Sequence, residues 1–222
     1  MIKSHKELAA YIENKSILHL NSLGKDSVVS LEWLVNYANP RKIVSLFFEF
    51  IASHPSDSDY LDYLKNRYPS VHFITEPNSI ELNLIVSGDY QSPIEILKEY
   101  NHYEYDTFER KKQIAEIECD FICSGVSKYE SFARASKFHR QGILIGKEIF
   151  PLGMMSKAQV YSIIHNSGLK LHPQYKFTNS TYDHPSYWKM RSSLLTNEQF
   201  KENIFKTYPL LELDKFRHER LF

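Results

Sequence analysis

Ser22, Gly24, Lys25, Asp26 and Ser27 crowd into six consecutive positions, and those residue types together are suited to holding an anion. The segment before them, Ile17-Leu18-His19-Leu20, reads as a short apolar strand entering a sheet. The segment after them keeps Val28, Leu31, Trp33, Leu34 and Val35 on an apolar helical stripe until Asn39-Pro40 stops it. A helix that begins directly after a strand leaves its first N–H groups unpaired, and its macrodipole favours negative charge there. Lys25 adds a positive charge, and Ser22 and Ser27 add hydroxyl donors. An ordinary strand-to-helix turn with a serine cap would use some of the same residues. The spacing is not that of a Walker loop, which places four residues between its first glycine and its Gly-Lys pair.

The elements that must position this turn follow the alternation of a doubly wound α/β fold. A short helix, Lys6 to Tyr11, precedes the first strand. Lys42 to Phe50 is a near-continuous apolar run, as expected of a central parallel strand covered on both faces. His54-Pro55-Ser56-Asp57 supplies caps for a helix over Tyr60 to Arg67, and Val71 to Thr75 reads as a third strand. Strand, helix and strand recurring at this spacing give right-handed crossovers and a mainly parallel sheet with helices on both faces. Residues 78–101 are ambiguous, with a turn at Gly88-Asp89 and a short helix entered through Pro93. Asp106 to Glu118 reads as a helix that carries Arg110-Lys111-Lys112, and Phe121 to Ser124 as a buried strand. Gly142–Gly146 and Glu148–Leu152 read as a strand pair. Ser156 to Ser167 is a capped helix ended by Gly168.

Ser22-Leu23-Gly24-Lys25-Asp26-Ser27 resembles the Ser-Gly-Gly-Lys-Asp-Ser loop of the PP-loop ATP pyrophosphatases, in the branch that holds the phosphoadenosine phosphosulfate reductases. Leu23 stands where that loop has its first glycine. Gly125-Val126-Ser127-Lys128-Tyr129-Glu130-Ser131-Phe132-Ala133-Arg134 resembles the family's second signature, with Ser127 in place of an arginine. Leu171-His172-Pro173-Gln174-Tyr175 resembles the third, although Met155-Ser156 replaces the Trp-Ser that opens the preceding helix. The resemblance covers Ile17 to Tyr175. It implies an adenine nucleotide, ATP or phosphoadenosine phosphosulfate, bound by Ser22, Leu23, Gly24, Lys25, Asp26, Ser27, Phe48, Glu49, Gly125, Lys128, Ser131 and Arg134. Lys25 and Asp26 would be catalytic, with Asp26 on a Mg²⁺ ion, and Glu130, Arg110, His172 and Tyr175 would be further substrate contacts. Residues 1–175 would form the nucleotide-binding domain, with 176–222 an extension packed on it.

The resemblance implies chemistry at the α-phosphate of ATP or a related adenylate, with the loop holding the departing pyrophosphate. Two alternatives stay open: a thiol-dependent sulfonucleotide reductase, and a non-catalytic nucleotide-binding partner in nucleic-acid sulfur modification. Cys119 and Cys123 are the chain's two cysteines, and no cysteine follows Cys123. The chain has Thr178–Pro185 where paired cysteines would be expected, so no iron–sulfur cluster is expected. Sulfonucleotide reduction needs a thiolate nucleophile, and a cysteine in a buried strand is a poor one.

The 222 residues suit one large domain. With 27 basic and 27 acidic residues, formal net charge is zero, which argues against a surface that grips nucleic acid everywhere. A local excess does exist from Val126 to Lys147, where Lys128, Arg134, Lys137, Arg140 and Lys147 face the single neighbouring acid of the signature, Glu130. A protein or nucleic-acid partner and a homo-oligomer are both compatible with this pattern. No apolar run approaches membrane-spanning length and no signal-peptide core follows Met1, so a cytoplasmic location is expected.

Overall fold

The computed structural model describes residues 1–100, 111, 113–114, 119–176, 194 and 197–221. The elements, in chain order, are α1 (His5–Ile12), β1 (Ser16–Asn21), α2 (Lys25–Trp33), β2 (Lys42–Glu49), α3 (Pro55–Arg67), β3 (His72–Pro77), α4 (Ser79–Val86) and α5 (Ile94–Tyr100). Then come β4 (Phe121–Ser124), α6 (Phe132–Gln141), β5 (Leu144–Ile145), β6 (Glu148–Ile149), α7 (Lys157–Ser167), α8 (Glu198–Thr207) and α9 (Leu211–Leu221). The strands form one sheet in the order β3-β2-β1-β4-β6-β5. All neighbours are parallel except the β5–β6 hairpin at the edge. Chain order runs leftward from β1 to β3 and then jumps to β4 on the other side of β1. The carboxyl ends of β1 and β4 therefore flank the topological switch point, where open α/β sheets bind ligands.

β1 is more deeply covered than its Leu-His-Leu alternation suggests, because helices lie on both faces. His19 is fully buried in it. Its Nε2 lies 2.8 Å from the Ser27 carbonyl and 3.0 Å from Ser30 Oγ, and its Nδ1 lies 3.2 Å from Ser45 Oγ. The imidazole thus fastens the first turns of α2 to the sheet. Helix α2 is likewise buried on almost every side rather than along one stripe, from Ser27 through Trp33. It continues into a π-helical turn, Leu34–Ala38, and stops at Asn39, which adopts the left-handed conformation at φ 45°.

Helix α3 starts at Pro55, five residues before the predicted Tyr60, because His54 caps it and Asp57 returns the bond to the His54 N–H. On the far side of α2, Glu32 is buried against Arg67, at 3.2 Å, and Tyr68, while Arg67 also donates to the Ser167 carbonyl at 2.7 Å. That network ties α2, α3 and α7 together. A second apolar cluster joins the C-terminal helices to the segment after β2 and to α4: Ala52, Ile85, Phe200, Ile204, Tyr208 and Leu211. No described helix is long and apolar enough to cross a membrane.

Candidate functional site

The loop between β1 and α2 is held by its own side chains. The Ser22 N–H donates to Ser27 Oγ at 3.2 Å, and the Ser27 hydroxyl donates to the Gly24 carbonyl at 2.9 Å. Leu23 sits at φ 56°, in the left-handed region where a glycine is usual. Two features compensate: its N–H donates to Asn21 Oδ1 at 2.9 Å, and its side chain is buried in the core at 2 % exposure. Gly24 caps α2 with extended backbone and no side-chain cap bond. The N-terminus of α2 is therefore left to face the cavity, except that the Lys25 N–H donates to the Tyr175 hydroxyl at 2.8 Å. Burial, followed by the nearby Asp26 carboxylate among the charges, pushes the Tyr175 hydroxyl up from its ordinary pKa. It stays protonated and neutral. Lys25 Nζ pairs with Asp26 Oδ1 at 2.5 Å and lies 5.6 Å from the Tyr161 ring centre.

Gly125, just past the end of β4, packs directly against the start of α2. A Cβ placed there would lie 2.6 Å from Asp26 C and Ser27 N, so no side chain fits. At these two strand ends opens a cavity of about 640 Å³. Its walls include the whole Ser22–Ser27 loop, Phe48, Gly125, Glu130 and Tyr175. The size and the one-sided polarity suit a nucleotide-sized ligand.

The other sequence candidates fall outside this wall. Lys128 Nζ donates to the Met154 carbonyl at 3.1 Å. Arg134 pairs with Glu130, and Ser131 Oγ caps α6 by accepting the Arg134 N–H at 3.2 Å. The second signature thus orders its own loop and helix start, since Glu130 also accepts the Ser127 N–H at 2.7 Å. Glu49 lies at the end of β2, where its carbonyl accepts the Asn78 N–H at 2.8 Å. His172 is buried behind Asp57 rather than open to the cavity. Arg110 lies outside the described residues, as does Thr178–Pro185. Lys111, from the same basic run, is described and reaches the cavity, 5.4 Å from the Phe48 ring centre. Burial lowers its pKa, with Glu148 opposing that shift.

Sequence reasoning did not single out Asn21, Asp57, Asn78 or Gln174, all of which line the cavity. Asn21 and Asp57 carried a usable signal, one ending the strand before the loop and one sitting in the Ser-Asp cluster after β2. Among the described residues no group of three His, Cys, Asp or Glu side chains could hold a metal ion. Asp26 lines the cavity and its side chain is 35 % exposed, so it fits Mg²⁺ as the single carboxylate of a site completed by ligand phosphates.

A profile of the phosphoadenosine phosphosulfate reductase domain matches residues 16–181, about three quarters of the chain. The chain belongs to this family. The matched span contains the PP-loop, Gly125 and the His172–Tyr175 turn. No sequence among curated proteins matches the chain. The phosphoadenylyl-sulfate reductase of Candida auris, solved as a phosphate complex, is similar in fold at 13% identity and a TM-score of 0.51, covering 78% of this chain and 84% of that one. The U34-tRNA thiolase of Methanococcus maripaludis, solved with its [4Fe-4S] cluster, gives 15% identity, a TM-score of 0.50 and coverage of 97% and 79%. The NH3-dependent NAD synthetase of Campylobacter jejuni gives 12% identity, a TM-score of 0.48 and coverage of 97% and 92%. The first two share this chain's doubly wound α/β fold.

Proposed function

We propose that this family member is an adenine-nucleotide-binding enzyme that acts at the α-phosphate of ATP or a related adenylate. The observation that carries the reading is that the Ser22–Ser27 loop and Gly125, packed against each other at the switch point, line one cavity together. Backbone N–H groups at the start of α2, the Ser22 and Ser27 hydroxyls and Lys25 would surround the β- and γ-phosphates. As water or another acceptor bonds to the α-phosphorus and the bond to the α–β bridging oxygen breaks, charge grows on the departing pyrophosphate, and fixed donors aimed at that charge stabilise the transition state. Lys25 Nζ, already in the cavity wall, would leave Asp26 to meet it. Asp26 would hold Mg²⁺, which supplies Lewis-acid polarisation of the phosphoryl oxygens. Phe48 offers an apolar face for the adenine and Lys111 a second cation.

The thiol-dependent alternative is weaker. Cys123 is fully buried, and burial pushes its thiol well above the ordinary range. Cys119 is buried too. A buried neutral thiol is a poor nucleophile for sulfur.

A specific observation favours an additional nucleic-acid partner. Tyr129, 40% exposed, has Lys128 and Lys157 at 5.6 and 5.8 Å from its ring centre, and Phe132, three residues on in sequence, is 91% exposed. Exposed rings interleaved with lysines suit stacked bases and phosphates.

The test is product analysis: purified protein with ATP, phosphoadenosine phosphosulfate and Mg²⁺. AMP and pyrophosphate from ATP support the reading. Sulfite released with a thiol reductant, without ATP cleavage, contradicts it.

A further inference from the structure

The cavity's acidic groups are not equivalent. Asp26 is paired with Lys25 and Glu130 with Arg134. Asp57, on the first turn of α3, also lines the cavity, yet among the described residues no lysine or arginine pairs with it. Its neighbours are neutral donors. Oδ2 accepts the His54 N–H at 3.2 Å, and Oδ1 lies 2.9 Å from His172 Nε2, angled away from an ideal hydrogen bond. His172 is itself fixed: its Nδ1 accepts the Gln174 N–H at 3.2 Å, and its ring packs edge-on against Tyr60 at 5.0 Å. An Nδ1 that accepts a bond leaves the ring proton on Nε2, facing the carboxylate. Capping α3 requires neither that buried imidazole nor a place in the cavity wall.

The phosphate end of the cavity is set by the α2 N-terminus, Lys25 and the two serines. The turn at Pro173–Lys176 runs from that end to Asp57: the Tyr175 hydroxyl meets the Lys25 N–H, and the Gln174 N–H meets His172. A carboxylate one step from the phosphates must face a part of the ligand rich in neutral donors. In an adenylate, the sugar hydroxyls are that part. The geometry points to Asp57 as the sugar-binding residue of this cavity, accepting hydrogen bonds from the free 2′- and 3′-hydroxyls and disfavouring a sugar that carries a phosphate. His172 is its positioning residue. This rests on the adenylate reading above and deepens it, since it selects ATP-like ligands over 3′-phosphorylated ones.

Calorimetry on the full chain decides it, with ATP, 2′-deoxy-ATP, 3′-deoxy-ATP and ATP bearing a 3′-phosphate as titrants. A hydrogen bond to a charged group is worth about tenfold or more in affinity. ATP is expected to bind about tenfold more tightly than at least one deoxy analogue, and more tightly again than the 3′-phosphorylated ligand. Asp57→Asn keeps the size and the capping oxygen, and it should shrink the penalty on the 3′-phosphate by about tenfold. Equal binding of all four ligands by the wild-type protein overturns the inference while leaving nucleotide binding at the loop intact. So does an unchanged ratio in a folded Asp57→Asn. The wild-type series stands alone should that variant not fold. Failure of every adenylate to bind overturns this inference and the functional reading together.

Discussion

Gly125 faces the Asp26–Ser27 peptide so closely that a Cβ would stand 2.6 Å from both Asp26 C and Ser27 N. Two strands far apart in sequence thereby meet at one site: β1 carries the loop, and the residue after β4 packs against it. Gly125→Ala must push α2 back. We expect it to cost about 1–3 kcal/mol of stability and to weaken ATP binding by at least tenfold, read by thermal unfolding and calorimetry. Wild-type affinity in a stably folded Gly125→Ala would show that this contact does not shape the site.

Leu23 replaces a glycine at φ 56°, so restoring glycine tests whether backbone strain or burial dominates. Relief of the left-handed strain is worth about 1–2 kcal/mol. Loss of a fully buried leucine side chain costs about 2–3 kcal/mol, and glycine adds unfolded-state entropy. Leu23→Gly should therefore lower stability by about 1–2 kcal/mol while ATP still binds. A rise in unfolding temperature would mean the strain outweighs the packing.

Cys119 and Cys123 are both buried. Replacing both by alanine should leave ATP turnover within about twofold of wild type, because no step of the proposed chemistry uses a thiol. Alkylation of the native protein by an exposed-thiol reagent should be slow. Loss of turnover in a folded double variant would return a cysteine to the mechanism.

Two buried groups give opposite pH dependence. Desolvation holds His19 down at about 4, so the folded protein resists a proton that the unfolded chain accepts near 6.5. Its contribution is complete above pH 6.5 and is lost, at about 1.4 kcal/mol per unit, as pH falls toward 4. Burial raises Glu81 to about 8, against the two backbone donors that oppose it. Its burial therefore costs stability progressively as pH rises from 4.5 to 8. Glu81→Gln should unfold at a higher temperature than wild type at pH 8 and converge with it near pH 4.5. Parallel pH profiles for the two proteins would contradict this.

The fold was legible wherever local chemistry and global position agree. The β1 strand, the Ser22–Ser27 turn and α2 follow one another in plain sequence, and Ser156 and Gly168 mark the ends of α7. Gly125 stood out in the sequence only as part of the second signature, and its packing against the Asp26–Ser27 peptide comes from the structure. Helix α4 was not legible, because the polar residues of Ser79–Val86, Ser79, Glu81 and Asn83, alternate with apolar ones as in a strand instead of marking a helical face. Lys128, Arg134 and His172, read from the sequence as ligand contacts, make protein contacts in this structure and lie outside the cavity lining. A basic or polar residue in a signature can serve the loop that carries it, as Arg134 does with Glu130, and whether its side chain reaches the cavity also depends on distant contacts such as Met154 for Lys128 and Asp57 for His172. Lys111, from the same basic run as the candidate Arg110, lines the cavity, and Arg110 lies outside the described residues.

The central claim is that the Ser22–Ser27 loop binds the phosphates of an adenine nucleotide. Calorimetric titration of ATP with Mg²⁺ into wild type and Lys25→Ala tests it most directly. Loss of a charge-assisted bond of about 1.5–3 kcal/mol predicts affinity about 10- to 100-fold weaker in the variant, with ATP cleavage abolished. Equal affinity in the two proteins would contradict the account.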